Sequence, residues 1–288
     1  MKVFVYGTLR KGGRNSPLLQ QEVCLYKKAY LKGSLYDTGN GYPAYVRDDE
    51  DYVYGEIYEV SDELLPVLDQ LEGYKPERST GNLFIRTERD VGTDDGPVTA
   101  YVYEYGDRTA LKNKTAFQDW MVDRLLQATG NIQYFAYASC MDDQRIRAAG
   151  METHFDQGER AVLQGWQLSY DFERSDGHRA NLRESATAME GVLYKVAPEG
   201  IDYLFQREGV PYGHYRPAAV VVETDSGRHL ALTFIVRYPA EEKAPPGHYA
   251  AEVLRGAEKY LSNAYVQRMY DHLRSFDMEE EKEGSTTE

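Results

Sequence analysis

The chain has 288 residues, 42% of them hydrophobic, only two cysteines and a formal net charge of −14. That is enough apolar material for one large or two modest cored domains, which excludes wholesale disorder, and no apolar run approaches the length of a membrane span. With no basic cluster there is no cationic face to release counterions from nucleic acid, and Cys24 and Cys140 are too few for a disulfide framework.

The start, Met1-Lys2-Val3-Phe4, runs straight into a strand pattern without the apolar segment of a signal peptide, so a cytoplasmic protein with neither membrane nor nucleic-acid partners is expected. The first strand, Val3-Phe4-Val5, breaks into Tyr6-Gly7-Thr8-Leu9-Arg10. A strand that stops on such small residues leaves backbone N–H groups pointing out of a tight turn, which suits a carboxylate or phosphate. Ser16 can cap a short helix with Pro17 in its first turn. Strands are expected at 29–33 and 53–58, with a turn over Gly39 to Pro43. From Ser61, Leu64, Leu65, Leu68 and Leu71 trace a helical stripe whose start Pro66 delays, and Glu72-Gly73 closes it with Gly73 as a left-handed cap. A strand from Thr99 to Tyr105 and a helix from about Thr109 to Ala128 lead to Thr129-Gly130-Asn131, the expected domain boundary.

The pattern then returns. Tyr134-Phe135-Ala136-Tyr137-Ala138-Ser139-Cys140 repeats the first strand and loop, Ala161 to Gly165 echoes Ala29 to Gly33, and Gly191 to Val196 echoes Gly55 to Val60. Glu208-Gly209 follows at the spacing of Glu72-Gly73, which marks a duplicated domain. The copies have drifted: Asp69 corresponds to Phe205, Gly7 to Ala138 and Leu9 to Cys140. A strand over 230–238, a helix from about Ala250 to Tyr260 and an amphipathic helix carrying Ala264, Met269, Leu273 and Phe276 complete the second copy. The expected organisation is 1–129, 130–276 and a disordered acidic tail, 277–288.

Each half thus pairs a donor-lined loop with a glutamate at a helix C-terminus, where the dipole disfavours the carboxylate and raises its pKa. An ammonium of pKa about 8 lies close to four units above an ordinary glutamate, roughly 5 kcal/mol of uphill proton transfer, and burial with the dipole removes about 2–3 kcal/mol of it. The six histidines show no metal-ligand spacing, so neither a metal nor another cofactor is expected. Two other readings stand beside acid–base catalysis: a Cys140 thiol nucleophile with His178 or His214 as base, and a non-enzymatic protein that senses a small ligand.

Tyr6-Gly7-Thr8-Leu9-Arg10 followed by Leu68-Asp69-Gln70-Leu71-Glu72-Gly73-Tyr74 resembles the γ-glutamylcyclotransferase superfamily, in particular its γ-glutamylamine cyclotransferase-like branch. The second half, through Tyr134 to Met141, Ala180-Asn181-Leu182, Gly191 to Tyr194 and Glu208-Gly209-Val210, is similar to the glutathione-type branch. The resemblance implies an α+β fold: two tandem domains, each a small mixed β-barrel with flanking helices. It further implies cyclisation of a small-molecule γ-glutamyl amine or peptide to 5-oxoproline without a metal. On this pattern Tyr6, Gly7, Thr8 and Leu9 hold the γ-glutamyl group and Glu72 is the acid–base. In the second copy Tyr137, Ala138, Ser139 and Cys140 match the loop, Glu208 the acid–base, and Tyr249 a substrate contact. Because alanine tolerates positive φ poorly, a strained or reshaped turn is expected at Ala138, and a sensing role suits the second half best.

Overall fold

A hydrophobic strand, β1 (Lys2–Val5), lies at the centre of the first unit, buried at Val3, Phe4 and Val5. The computed structural model describes residues 1–285, the side chains of 110 and 277–285 excepted. The chain divides into two units, Met1–Gln127 and Ala128–Glu288. In the first, β1 is followed by β2 (Val23–Lys32), the hairpin β3 (Ser34–Asp37) and β4 (Pro43–Val46), β5 (Tyr52–Glu59), α1 (Leu65–Leu71), β6 (Phe84–Val91), β7 (Val98–Tyr105), β8 (Asn113–Lys114) and α2 (Trp120–Leu126). The sheet order is β2-β5-β1-β7-β6, with β1 antiparallel to β5 and parallel to β7. Its two edges meet where Tyr30 and Gly92 exchange N–H···O bonds of 3.0 and 2.8 Å. A separate small sheet, β4-β3-β8, completes the unit.

The helix α1 begins at Leu65 with Pro66 in its first turn, as the proline demands, and buries Leu65 and Leu68 against Val3, Val5 and Phe84. The helix expected over 109–128 is cut to Trp120–Leu126. Residues 113–114 pair with β3 instead, and Gln118, at φ +54°, spends its side chain on Leu35 N–H (2.6 Å) and Thr115 C=O (2.5 Å). Asp119 then starts the helix by accepting from the N–H groups of Met121 and Val122. The short helix at Ser16–Leu19 starts after Asn15, whose side chain turns instead to Thr8.

The second unit contains β9 (Ile132–Ala136), α3 (Asp143–Ala148), β10 (Glu159–Arg174), β11 (Gly177–Val196), α4 (Pro198–Arg207), β12 (Tyr215–Thr224), β13 (Gly227–Val236), α5 (Gly247–Tyr260) and α6 (Asn263–Ser285). Its closed barrel, β10-β11-β9-β13-β12, repeats the first sheet strand for strand, down to the parallel pairing of β9 with β13. Val162 meets Glu223 at the closure, the counterpart of the Tyr30–Gly92 seam. Two strand glycines carry the same packing in both copies. A Cβ on Gly55 would come within 2.6 Å of the Phe4 ring, and one on Gly191 within 2.5 Å of the Phe135 ring. The fold is therefore α+β, built from two tandem domains that share one strand order.

The acidic segment expected to be disordered, 277–288, has its side chains outside the described residues, and its backbone as far as Ser285 belongs to α6. No helix among the described residues is long and apolar enough to cross a membrane.

Candidate active sites

In the first unit Tyr6 leaves β1 buried, and its hydroxyl donates to the Tyr103 carbonyl at 2.6 Å. The loop then turns on itself through Arg10 N–H to Gly7 C=O (3.1 Å) and is pinned from outside by Asn15, whose N–H and side-chain amide reach Thr8 at 3.0 and 2.9 Å. Gly7 does not have a positive φ. It is needed for space: a Cβ there would lie 2.8 Å from Cγ of Pro43, the first residue of β4. Behind the loop Arg10, only 4% exposed, pairs with Glu56 of β5 (3.3 Å) and Asp119 (2.5 Å), while Glu56 also accepts from Lys11 N–H at 2.9 Å. The loop is thus anchored by a buried ion network rather than left to flex.

Opposite the loop, Glu72 is the C-terminal cap of α1, and Gly73 at φ +63° releases the chain. Glu72 and Tyr6 to Leu9 line one cleft, together with Tyr42, Pro43, Phe84 and Tyr103. Burial pushes the Glu72 carboxyl up to about 7, and among the described residues no cation pairs with it. Beneath it, Asp69 accepts a bidentate contact from Arg86 Nη1 (2.7 and 2.9 Å) and the Tyr103 hydroxyl (2.7 Å). The Arg86 guanidinium also lies 4.8 Å from the centre of the Tyr101 ring.

The second unit repeats this plan with different chemistry. Tyr137 donates to the Phe234 carbonyl at 2.7 Å, the same 97-residue separation as Tyr6 and Tyr103. Tyr137, Ala138, Ser139, Cys140, Glu208 and Tyr249 all border one cleft. Ala138 adopts φ −139°, so the strained turn expected from a missing glycine is absent; the small residue answers to space in the first loop and not to handedness. Where the first loop has Arg10, the second has Met141, and α5 braces it: Gly256 packs so closely that a Cβ would come within 2.6 Å of Met141. Arg255 and Lys259 of the same helix pair with Asp142 (2.6 Å) and Asp143.

Around the second acid, Cys140 Sγ donates to Glu208 Oε1 at 3.6 Å, Arg207 Nε lies 3.4 Å from the same oxygen, and Arg207 Nη2 donates to Ser139 Oγ at 2.8 Å. Tyr249 accepts from the Ala180 N–H at 3.3 Å, which sets its hydroxyl at the cleft wall. Burial raises the Glu208 carboxyl, opposed chiefly by Arg207, and burial likewise raises the Cys140 thiol. Neither His178 nor His214 borders this cleft: His178 bonds to Tyr170 C=O and His214 packs on Phe172. The thiol meets a carboxylate and not an imidazole.

Two domains of one strand order, the second a closed barrel, each set a helix-end glutamate against a strand-end loop in a shared cleft. Residues 3–122 match the family described as gamma-glutamyl cyclotransferase, AIG2-like, and residues 188–269 match the AIG2-like family. YkqA of Bacillus subtilis (strain 168), which carries a provisional gamma-glutamylcyclotransferase name, is 40% identical over 280 residues, 95% of this chain and 97% of that protein. The crystal structure of YkqA superposes with a TM-score of 0.84 at 37% identity, covering 96% of this chain and 98% of that one. A stretch of 128 residues is 42% identical to the gamma-L-glutamyl-butirosin B gamma-glutamyl cyclotransferase of Niallia circulans, covering 44% of this chain and 80% of that enzyme. The chain belongs to the gamma-glutamylcyclotransferase family, as a tandem of two such domains.

The sequence singled out both loops and both acids. It gave no site role to the residues that build the opposite walls, Tyr42, Pro43, Phe84 and Tyr103 in one cleft and Tyr215 in the other, and it quoted Ala180 only as part of the resemblance. It also passed over Arg207, although a charged residue directly before Glu208, where the first copy has Leu71, was there to be read.

Proposed function

We propose that the first domain cyclises a γ-glutamyl amine or peptide to 5-oxoproline and releases the amine, with Glu72 as the acid–base. The observation that carries this reading is the shared cleft of Glu72 and the Tyr6–Leu9 loop, with the carboxyl tuned to about 7. Backbone N–H groups of the loop hold the substrate carboxylate or the oxyanion that develops on the γ-carbonyl. Glu72 takes a proton from the α-ammonium, and the freed amine attacks the γ-carbon of its own molecule. Glu72 then returns the proton to the departing nitrogen as the amide bond breaks. An ammonium near pKa 8 and a carboxyl at about 7 differ by roughly one unit, so the proton transfer is uphill by only about 1.4 kcal/mol. Nucleophile and electrophile share one molecule, so folding it into a near-attack pose supplies much of the rate.

The test is 5-oxoproline release from a panel of γ-glutamyl amines and peptides, read by mass spectrometry. Glu72→Gln abolishes release of those substrates that the Glu208→Gln variant still turns over. Undiminished release by Glu72→Gln, Glu208→Gln and their double variant would overturn the mechanism. Because Glu72 must be ionised to act as base, wild-type turnover by the first domain rises with pH through about 7.

For the second domain one observation favours a second reading. Glu208 is already engaged by Arg207 and the Cys140 thiol, as a ligand-binding pocket without turnover would tolerate. Thermal stabilisation by 5-oxoproline or a γ-glutamyl compound, with no product formed in the Glu72→Gln chain, would support sensing.

A further inference from the structure

The two acids sit in unlike electrostatic surroundings, and one residue makes the difference. Arg207 stands directly before Glu208, at the place that Leu71 holds before Glu72. Leu71 points outward and is 39% exposed, whereas the Arg207 side chain is drawn in to 14%. Its head is held on three sides: Nη1 donates to the Tyr203 hydroxyl (3.2 Å), Nη2 to Ser139 Oγ (2.8 Å), and Nε faces Glu208 Oε1 at 3.4 Å. That Nε is buried and makes no hydrogen bond, so its contact with Glu208 is one of charge. Ser139 and Glu208 both border the cleft, one from the loop and one from α4, so a single guanidinium ties the two walls together.

We propose that Arg207 is the positioning residue of the second site: its guanidinium sets a fixed positive charge against the Glu208 carboxyl and holds the Ser139 side of the loop against it. This rests on the reading of Glu208 as that site's base. A buried carboxylate without a partner gives up its charge, and the first site meets that condition by letting its acid titrate near neutrality. The second buries its acid among groups that, among the described residues, offer no other close cation. Tyr137 and Cys140 approach from the loop, Tyr134 from β9, Tyr215 from β12 and Tyr249 from α5, all neutral at pH 7, and Arg145 of α3 contributes more weakly than Arg207. Without Arg207 the main opposition to burial is lost and the carboxyl is pushed up further, which makes it a poorer resting acceptor for the proton of a substrate ammonium.

The experiment compares Arg207→Leu, which installs the side chain of the first copy, with Arg207→Lys, which keeps the charge but loses the fork. Side-chain carboxyl resonances of 13C-glutamate-labelled full-length chain are followed against pH, with Glu208 assigned from its loss in Glu208→Gln. In Arg207→Leu the Glu208 midpoint moves up by about one pH unit or more, and in Arg207→Lys by less. In the Glu72→Gln background, the acid limb of 5-oxoproline release moves in the same direction and order, with kcat falling more than KM rises. A Glu208 midpoint unchanged to within a few tenths of a unit in Arg207→Leu would overturn the proposal, as would a loss of rate in Arg207→Leu with an unshifted acid limb. Should the Glu72→Gln chain release no 5-oxoproline while the Glu208 midpoint still shifts, the positioning role stands, and it is the cyclase reading of the second site that fails.

Discussion

Gly7 is held by a neighbour from elsewhere in the chain. A Cβ at this position would sit 2.8 Å from Pro43 Cγ, inside any tolerable contact, so Gly7→Ala must push the loop off β4 or push β4 away. A displacement of about 1 Å at a substrate loop costs on the order of 10- to 100-fold in rate, so kcat/KM for the first domain falls in that range in Gly7→Ala. Pro43→Ala in the same chain restores part of the loss, because the offending ring atoms are gone; steady-state kinetics on the single and double variants checks this. The sequence pointed to glycine for its freedom at positive φ, and that reasoning failed because the cause is a proline distant in sequence. Glu72 was legible, since helix end, glycine cap and acid are adjacent. Its tuned carboxyl also has a stability consequence. The native state holds this proton up to about 7, well above the ordinary 4.5, so between those values the native chain binds more protons than the unfolded chain. Stability from this group is therefore full below about 4.5, falls as pH rises through the window and levels off above 7. Glu72→Gln removes the penalty: its thermal midpoint matches wild type at pH 4 and exceeds it at pH 8, and the stability gained there is at most about 3 kcal/mol, less after solvent screening.

At the scale of elements, the drift of the second copy is concerted. Asp69 of α1, Arg86 of β6 and Tyr103 of β7 form one bonded triad in the first unit. Aligned on the β6–β7 and β12–β13 registers, the corresponding residues are Phe205, Pro217 and Phe234, and Phe205 packs edge-on against Phe234 with ring centres 5.5 Å apart. A carboxylate bonded to a guanidinium and a phenol has been exchanged for an apolar contact, because removing one member alone would leave the others unpaired near the core. Asp69→Ala and Arg86→Ala each destabilise the first unit, and the double variant costs less than their sum by about 1–2 kcal/mol; urea denaturation of the four chains measures the coupling. The sequence showed Asp69 facing Phe205, but not the triad, because β6 escaped notice. Its run of Arg86, Glu88, Arg89 and Asp90 reads as a charged surface until the partners on β7 are seen. The helix expected over 109–128 failed for a related reason: Gln118 is recruited by the backbone of β3, a contact that no local pattern announces.

For the molecule as a whole, duplication was the most legible feature, since it needs only the spacing of short motifs within one chain. The strand order, the parallel central pair and the closing seam recur in both units, so the architecture is insensitive to exchanges at the cleft. The means of bracing the loop is not shared: buried ions around Arg10 serve one unit and the close approach of α5 at Gly256 the other. Carrying both clefts on a single polypeptide has a consequence at the level of the cell. Translation delivers them in strict one-to-one ratio, and neither transcription nor turnover can change the dose of one without the other. Any adjustment of their relative output must be written into the chain itself, at positions such as 7 and 138, 69 and 205, or 71 and 207.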